Sequence, residues 1–433
     1  MKLMRTLVLG LLMLLVSTQV PAQLTIQITG GAEGALPIAL VPFRVENGVP
    51  APPEEMITII RDDLYRTGLL QPLPRKDLIA HPATLEEVNF QNWRVLGVDN
   101  LVVGALASDP DSGYHGYQVS FELLDVYKAN RLTGKRYRVR PDALRTLGHT
   151  ISDIIFQSLF GRPGGFNTQI AYVEIERNAD QPVHKLIVAD ADGHNPQVIL
   201  TSKAPIMSPA WSPDRQRIGY VSFENGRSEV YVQEVASGKR RTVASFNGIN
   251  SAPAWSPQGN RLALTLSKDG NPEIYILDLA SESLRQITHN SSIDTEPVWT
   301  PNGQQIIFTS DRGGSPQIYR LPSAGGKAER LTFEGSYNAR PTLSPDGRLL
   351  ALVHREDGKF KIAVLDLQTR LTRVLTDGPL DESPSFAPNG ATLLYSSVLG
   401  GKSELATVSI YGRAHERLGV FNNAVQEPTW SPL

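Results

Sequence analysis

One short pattern recurs along the second half of the chain at a near-constant interval, and it restricts the fold more than any other feature. It reads "SPAWSPDRQRIGYVS" from Ser208, "SAPAWSPQGNRLALTLS" from Ser251 and "EPVWTPNGQQIIFTSD" from Glu296. It returns as "RPTLSPDGRLLALVH" from Arg340 and "SPSFAPNGATLLYSS" from Ser383, and a truncated copy, "EPTWSPL", closes the sequence. The turn prolines are Pro213, Pro257, Pro301, Pro345, Pro388 and Pro432, spaced 44, 44, 44, 43 and 44 residues apart. So regular a period marks a repeat architecture, in which one supersecondary unit stacks on the next.

Each copy predicts four strands. A short inner strand ends at Trp211, Trp255, Trp299, Leu343, Phe386 or Trp430. A Ser/Thr/Ala-Pro turn follows, in which Pro sets φ and Gly supplies a positive φ; Arg215 stands in the Gly place of the first copy. The second strand alternates, as from Ile306 to Thr309; the third is "EIYILDLAS" from Glu273, and the fourth is short, as in "LRQIT" from Leu284. Four strands in so short a unit make a propeller blade.

The sixth copy stops just after its turn, and its missing strands stand at the start of the array. "QIAYVEIERN" from Gln169 matches "RIGYVSFENG" from Arg217, and "KLIVADADG" from Lys185 matches "EVYVQEVASG" from Glu229. Both ends of the repeat region therefore build the last blade. That closes the ring and leaves no open sheet edge, whereas an open solenoid has no use for a split repeat. The aromatic column is expected to pack between blades.

Residues 23 to about 165 carry no such period. "PIALVPF" from Pro37 is an apolar strand. "PPEEMITIIRDDLYRTG" from Pro52 has helix start signals, an apolar face of Met56, Ile59, Ile60 and Leu64, and a stop at Gly68. "LEEVNFQNWRVLGVD" from Leu85 reads as a second helix, "NLVVGALASD" from Asn100 as a buried strand, and the stretch from Tyr117 as a hairpin. A longer helix from Pro141 and a "GRPGG" linker at 161–165 end the segment. The fold expected is an α/β N-terminal domain at 35–162 followed by an all-β six-bladed propeller at 163–433, four strands per blade.

The first 22 residues read as a secretory signal peptide: Lys2 and Arg5, an apolar run from Leu7 to Val16, and cleavage expected after Ala22. The run is short of the roughly 20 residues a membrane span needs. Formal charge is −2, so no basic excess points to nucleic acid. The chain has no cysteine, which removes disulfides, thiolate nucleophiles and thiolate metal sites.

No catalytic motif emerges. There is no Gly-x-Ser-x-Gly elbow and no His-Glu-x-x-His pair. "GGKS" at 400–403 lacks the first glycine of a phosphate loop and lies between strands; "DADG" at Asp190 has Val188 where a calcium loop needs a carboxylate. Acidic residues recur before the inner strands, at Asp294, Glu296, Asp381, Glu382 and Glu427. They are either solvated loop charge or a rim at one channel mouth that binds a basic or polar partner, with a cation in the channel as the sharper variant. Propellers host binding proteins and enzymes alike, so a hydrolase or lyase using the channel stays the alternative to a binding scaffold.

The signal peptide, the mature start "QLTIQITGGAEGALPIALVPF", the α/β domain and the "WSPDG"-like turns together resemble the TolB family, periplasmic propellers of the Tol–Pal system of Gram-negative envelopes. The resemblance spans the whole chain. Other propellers share the blade turn; "PIALVPF" and the domain order make it specific. It implies a monomeric, non-enzymatic periplasmic adaptor without a cofactor, serving outer-membrane integrity and constriction during division. It implies Pal lipoprotein at the propeller mouth, TolA at the mature N-terminus, and bacteriocin translocation segments using the same mouth.

By position, the resemblance places the Pal site on Asn250, Ala252, Thr295 and Glu296, and the TolA site on Gln23, Leu24, Thr25, Ile26, Gln27 and Ile28, within a mobile segment 23–34. Leu24 to Ile28 alternates like an edge strand, which suits strand addition to a partner sheet. Where the family often has a His before the Asn, this chain has Ile249, which removes a polar contact there.

Overall fold

The computed structural model of the chain describes residues 34–433, apart from 47, 53, 109–115, 178–180 and 420. Gln23 to Ile28, the residues expected to engage TolA, lie outside the described residues, as does the expected signal peptide. Among the described residues no helix is long and apolar enough to cross a membrane.

The N-terminal domain runs β1 (Leu36–Leu40), β2 (Arg44–Val45), α1 (Met56–Arg66), β3 (Leu70–Pro72), α2 (Phe90–Val95), β4 (Asn100–Ser108), β5 (Tyr117–Asp125), β6 (Asn130–Val139) and α3 (Leu144–Phe160). Its sheet has the order β3-β1-β4-β5-β6, with β2 also pairing β4. β1 is parallel to β3 and β4, and the β4-β5-β6 part is antiparallel. Both faces of the sheet are covered, so β4 reads as a nearly continuous apolar run. Ile38, Val102 and Phe121 pack against α1 and α3 on one side, and Ala39, Leu101 and Val103 pack against Trp93 on the other.

The second helix is shorter than its sequence pattern suggests. A 3₁₀ turn at Leu85–Glu87 is followed by a break, and α2 starts only at Phe90. Asn89 explains the break, because its side chain accepts from the Gln91 N–H and caps a new helix there. The edge strand β6 carries Arg131, Lys135, Arg136 and Arg138 and no acid, a charge pattern that guards a long open edge against unwanted pairing.

The propeller is six four-stranded sheets between Gln169 and Trp430. The last sheet has the order Ala424–Trp430, Gln169–Glu176, Val183–Asp190, Gln197–Ser202, so both ends of the array close the ring as the split repeat requires. The turns after the inner strands follow the expected chemistry: Gly259, Gly303, Gly347 and Gly390 have φ between 65° and 72°, and Arg215 takes φ 60° in the same place. The tryptophans join blades. Trp255 and Trp299 donate their indole N–H to Ala210 O at 3.0 Å and Ala254 O at 3.1 Å, one blade back. Arg217 and Arg261 of the preceding blades stack on the same rings.

The α/β domain docks on the propeller end that carries the inner-strand turns. Ala391 joins the core of α1, α3 and the sheet, and Tyr411 packs on it. Around this small apolar contact lies a buried ionic cluster. Arg66 Nε is 3.0 Å from Glu416, His149 lies 2.8 Å from Asp63 and 3.3 Å from Asp192, and Arg145 pairs with Asp192 and Glu54. Burial opposes charge on His149, but Asp63 and Asp192 outweigh it and push its pKa up to about 10. Asp192 is likewise opposed by burial, yet His149, Arg145 and Arg66 hold its carboxyl far below the usual carboxylate range. Adjacent strands of a blade run antiparallel, so the loops leading into the inner strands lie at the other end, clear of this domain.

Candidate functional site

Ser208, Ala252, Glu296, Arg340, Ser383 and Glu427 occupy the same place in the six inner strands, each just before a proline. All six have left-handed φ between 48° and 56°, and the pairing register shifts at this point in every blade. Proline brings no N–H to the ladder, so the strand bulges there. The bulges set these six residues on the wall of the central channel, a cavity of about 560 Å³ whose further wall is proline and the Trp/Phe/Leu column.

Arg340 spans this belt. Its guanidinium is 3.5 Å from Glu296 and 3.3 Å from Glu427, and it donates to the Ser383 hydroxyl. Glu296 Oε2 also accepts from the Arg340 backbone N–H and from Thr309 Oγ1, both at 2.8 Å. Glu427 accepts from the Ser208 N–H across the seam where the ring closes. Burial works against the Arg340 charge, but Glu427, Glu296 and Glu382 outweigh it and make the proton harder to remove. The positive charge between the channel carboxylates is thus the protein's own. Among the described residues, no three His, Cys, Asp or Glu side chains converge as metal ligands.

Two slots outward on the inner strands stand Ile206, Asn250, Asp294, Asn338, Asp381 and Val425, all at most 1 % exposed. The polar members tie down the mouth loops. Asn250 exchanges bonds with the Phe246 backbone N–H and C=O, Asp294 receives both oxygens' worth of Arg312 Nη2 at 2.7 and 3.0 Å, and Asp381 accepts from Ser397 Oγ at 2.6 Å. The Asn250 amide is therefore committed to the loop it holds. The five acids expected in loops before the strands instead lie inside the strands, because pairing already begins at Asp294 with Ser310 and at Asp381 with Ser397. Asp294 and Asp381 are internal anchors, so only Glu296, Glu382 and Glu427 remain near the channel.

One further residue outward comes Pro205, Ile249, Ile293, Tyr337, Leu380 and Ala424, an apolar residue in every blade. Ile249 is 45 % exposed and Ile293 49 %. The mouth therefore presents an apolar crown around a polar floor. Ala252 and Glu296 sit on that floor, and half-buried Thr295 beside them lies 3.4 Å from Thr265 Oγ1. The crown was readable in the sequence as an apolar residue recurring in one repeat slot at 205, 249, 293, 337, 380 and 424. The role of Arg340 was not, since no local pattern says that one side chain will reach three other blades.

Two family models match the chain: a TolB amino-terminal domain over residues 24–132 and a TolB beta propeller domain over 156–433. The Tol-Pal system protein TolB of Nitrosococcus oceani is 61 % identical over 430 residues, covering 98 % of each chain. That of Alkalilimnicola ehrlichii is 59 % identical over 406 residues, covering 94 % of each. Among solved structures, TolB from Acinetobacter baumannii superposes with a TM-score of 0.83 at 41 % identity, over 94 % of this chain and 98 % of that one.

Proposed function

The chain belongs to the TolB family of Tol-Pal system proteins, and on that premise we propose that it is a non-enzymatic periplasmic adaptor, docking Pal at the propeller mouth and TolA through residues 23–28. The observation that carries this reading is the mouth itself. An apolar crown surrounds a small, fixed polar floor, at the propeller end away from the α/β domain. Such a surface suits a protein loop, with an apolar contact ring and a few polar groups fixing orientation. The ionisable side chains on the channel wall, Glu296, Arg340 and Glu427, are committed to one another, which favours a scaffold over a hydrolase or lyase.

On this reading Ala252, Thr295 and Glu296 face Pal, Asn250 holds the adjoining loop, and Ile249, where the family often has a histidine, supplies apolar contact together with Ile293. The role assigned is outer-membrane integrity and constriction during division, and bacteriocin translocation segments compete for the same mouth.

Calorimetric titration of residues 23–433 with soluble Pal tests the reading, beside an Ala252→Arg, Thr295→Arg double variant. Arginine is tolerated at the Ala252 backbone, because Arg340 adopts φ 52° in the equivalent place, close to the 48° of Ala252. Binding by the parent and its loss in a variant of unchanged melting temperature supports docking at the mouth. Absence of binding by the parent removes Pal as the partner.

A further inference from the structure

The left-handed slot that Arg340 occupies holds Ser, Ala, Glu, Ser and Glu in the other five blades. Blade packing therefore has no need of a cation there. What Arg340 does is specific to the channel: it reaches Glu296 one blade back, Ser383 one blade on and Glu427 two blades on. Both oxygens of Glu296 are engaged, one by the guanidinium and the other by the Arg340 N–H and Thr309. Glu427 is more deeply buried, at 9 % side-chain exposure, and shares itself between Arg340 and the Ser208 N–H. Without the guanidinium, these two carboxylates would share one narrow cavity with no countercharge, which like charges at low dielectric oppose.

We propose that Arg340 is the positioning residue of the mouth: it fixes Glu296 and Glu427, and the docking partner reads Glu296 only in the orientation Arg340 imposes. The inference rests on the docking reading above and deepens it. A carboxylate already held from two sides needs no ordering when the partner arrives, and that preorganisation raises affinity without adding a contact. Arginine suits the task because its planar fork spans several acceptors at once, which a lysine ammonium cannot do.

Two measurements on the mature chain test this, with Arg340→Met as the main variant and Arg340→Lys as the conservative one. The first needs no partner. Amide hydrogen exchange at Ser208 reports whether Glu427 is still held, although Ser208 is not bonded to Arg340 itself. In Arg340→Met its exchange is expected to speed up about tenfold or more; protection equal to the parent's overturns the proposal. The second is a double-mutant cycle with Glu296→Gln, read by affinity for soluble Pal well below the melting temperature. Arg340→Met is expected to lower affinity about tenfold or more in the parent and less than about twofold in the Glu296→Gln background. Equal losses in both backgrounds, or no loss in the parent, overturn it. Arg340→Lys is expected to recover part of the affinity, and it carries both measurements if the Met variant does not fold. If the parent itself fails to bind Pal, the docking reading falls, and exchange at Ser208 alone decides whether Arg340 positions the carboxylates.

Discussion

Asp192→Asn isolates the ionic contribution to the join between the α/β domain and the propeller. The substitution is nearly isosteric and keeps an oxygen for the His194 N–H, which now donates to Asp192 Oδ1 at 3.1 Å. It removes the charge together with the Oδ2 acceptor that Arg145 and His149 share. In the parent, Arg66, Arg145 and His149 face Glu54, Asp63, Asp192 and Glu416. Three cations then still meet three anions after the change, so no buried cation is stranded. Arg145 keeps Glu54, and His149 keeps Asp63 at 2.8 Å. The cost therefore belongs at or below the low end for disrupting a buried pair, about 2–3 kcal/mol. The adjoining cleft of about 360 Å³ favours this end, since Arg145 lines it and can hydrate there. Two assays check the figure: denaturant unfolding followed separately in each domain, and the titration of His149 by NMR. His149 should titrate clearly below about 10 yet above 6.5, because Asp63 remains. In the parent, the raised pKa of His149 means that its contribution is complete below about 6.5 and is lost as pH climbs through about 10. The depressed pKa of Asp192 adds stability at neutral pH that is lost as pH falls below its ordinary 3.8. The variant should flatten both limbs. A loss under about 0.5 kcal/mol, with His149 still titrating near 10, would refute the idea that this cluster holds the domains together.

Arg215→Gly puts glycine where four other blades have it and relieves a left-handed backbone, so the free energy of unfolding should rise by about 0.5–1 kcal/mol in denaturant melts; a fall would show an undetected role for the arginine. Gly104→Ala places a Cβ 2.5 Å from Ser120 O and 2.9 Å from the Phe43 ring in the middle of β4. Backbone cannot yield cheaply there, so a loss of about 3 kcal/mol or failure to fold is expected in thermal melts. Burial lowers the pKa of His354, whose Nδ1 is 2.9 Å from Asn338 Oδ1. The unfolded chain then takes the proton first, so stability should decline as pH drops through 6.5, and His354→Gln should reduce that slope. Ile249→Ser with Ile293→Ser should weaken Pal binding by about tenfold or more with little change in melting temperature, because both side chains are already about half exposed; unchanged affinity in a titration would remove the crown from the site.

Much of this protein is legible in its sequence, because the repeat is written as turn chemistry. Proline before a positive-φ glycine, at a fixed interval, fixes where each blade turns, and alternating apolar residues fix which side of each strand is buried. The split sixth copy even specifies how the ring closes, since Gln169–Glu176 can complete a sheet only beside Ala424–Trp430. The apolar crown and the channel slot also follow from the period, once the copies are aligned on their prolines. What the repeat cannot give is the relation between residues that are far apart in sequence and adjacent only around the ring. The acids at 294, 296, 381, 382 and 427 look alike as text, yet Asp294 and Asp381 turn inward to anchor loops while Glu296 and Glu427 face the channel. A strand alternates sides residue by residue, and a bulge resets that alternation, so one position decides between anchor and wall. Arg340 meets Glu427 across 87 residues, and Arg66 meets Glu416 across 350. Local pattern determined the blades and the ring. Only the closed tertiary structure decided which charges neutralise one another and which remain for a partner, because electrostatic pairing depends on distance and burial in space, which sequence separation does not encode.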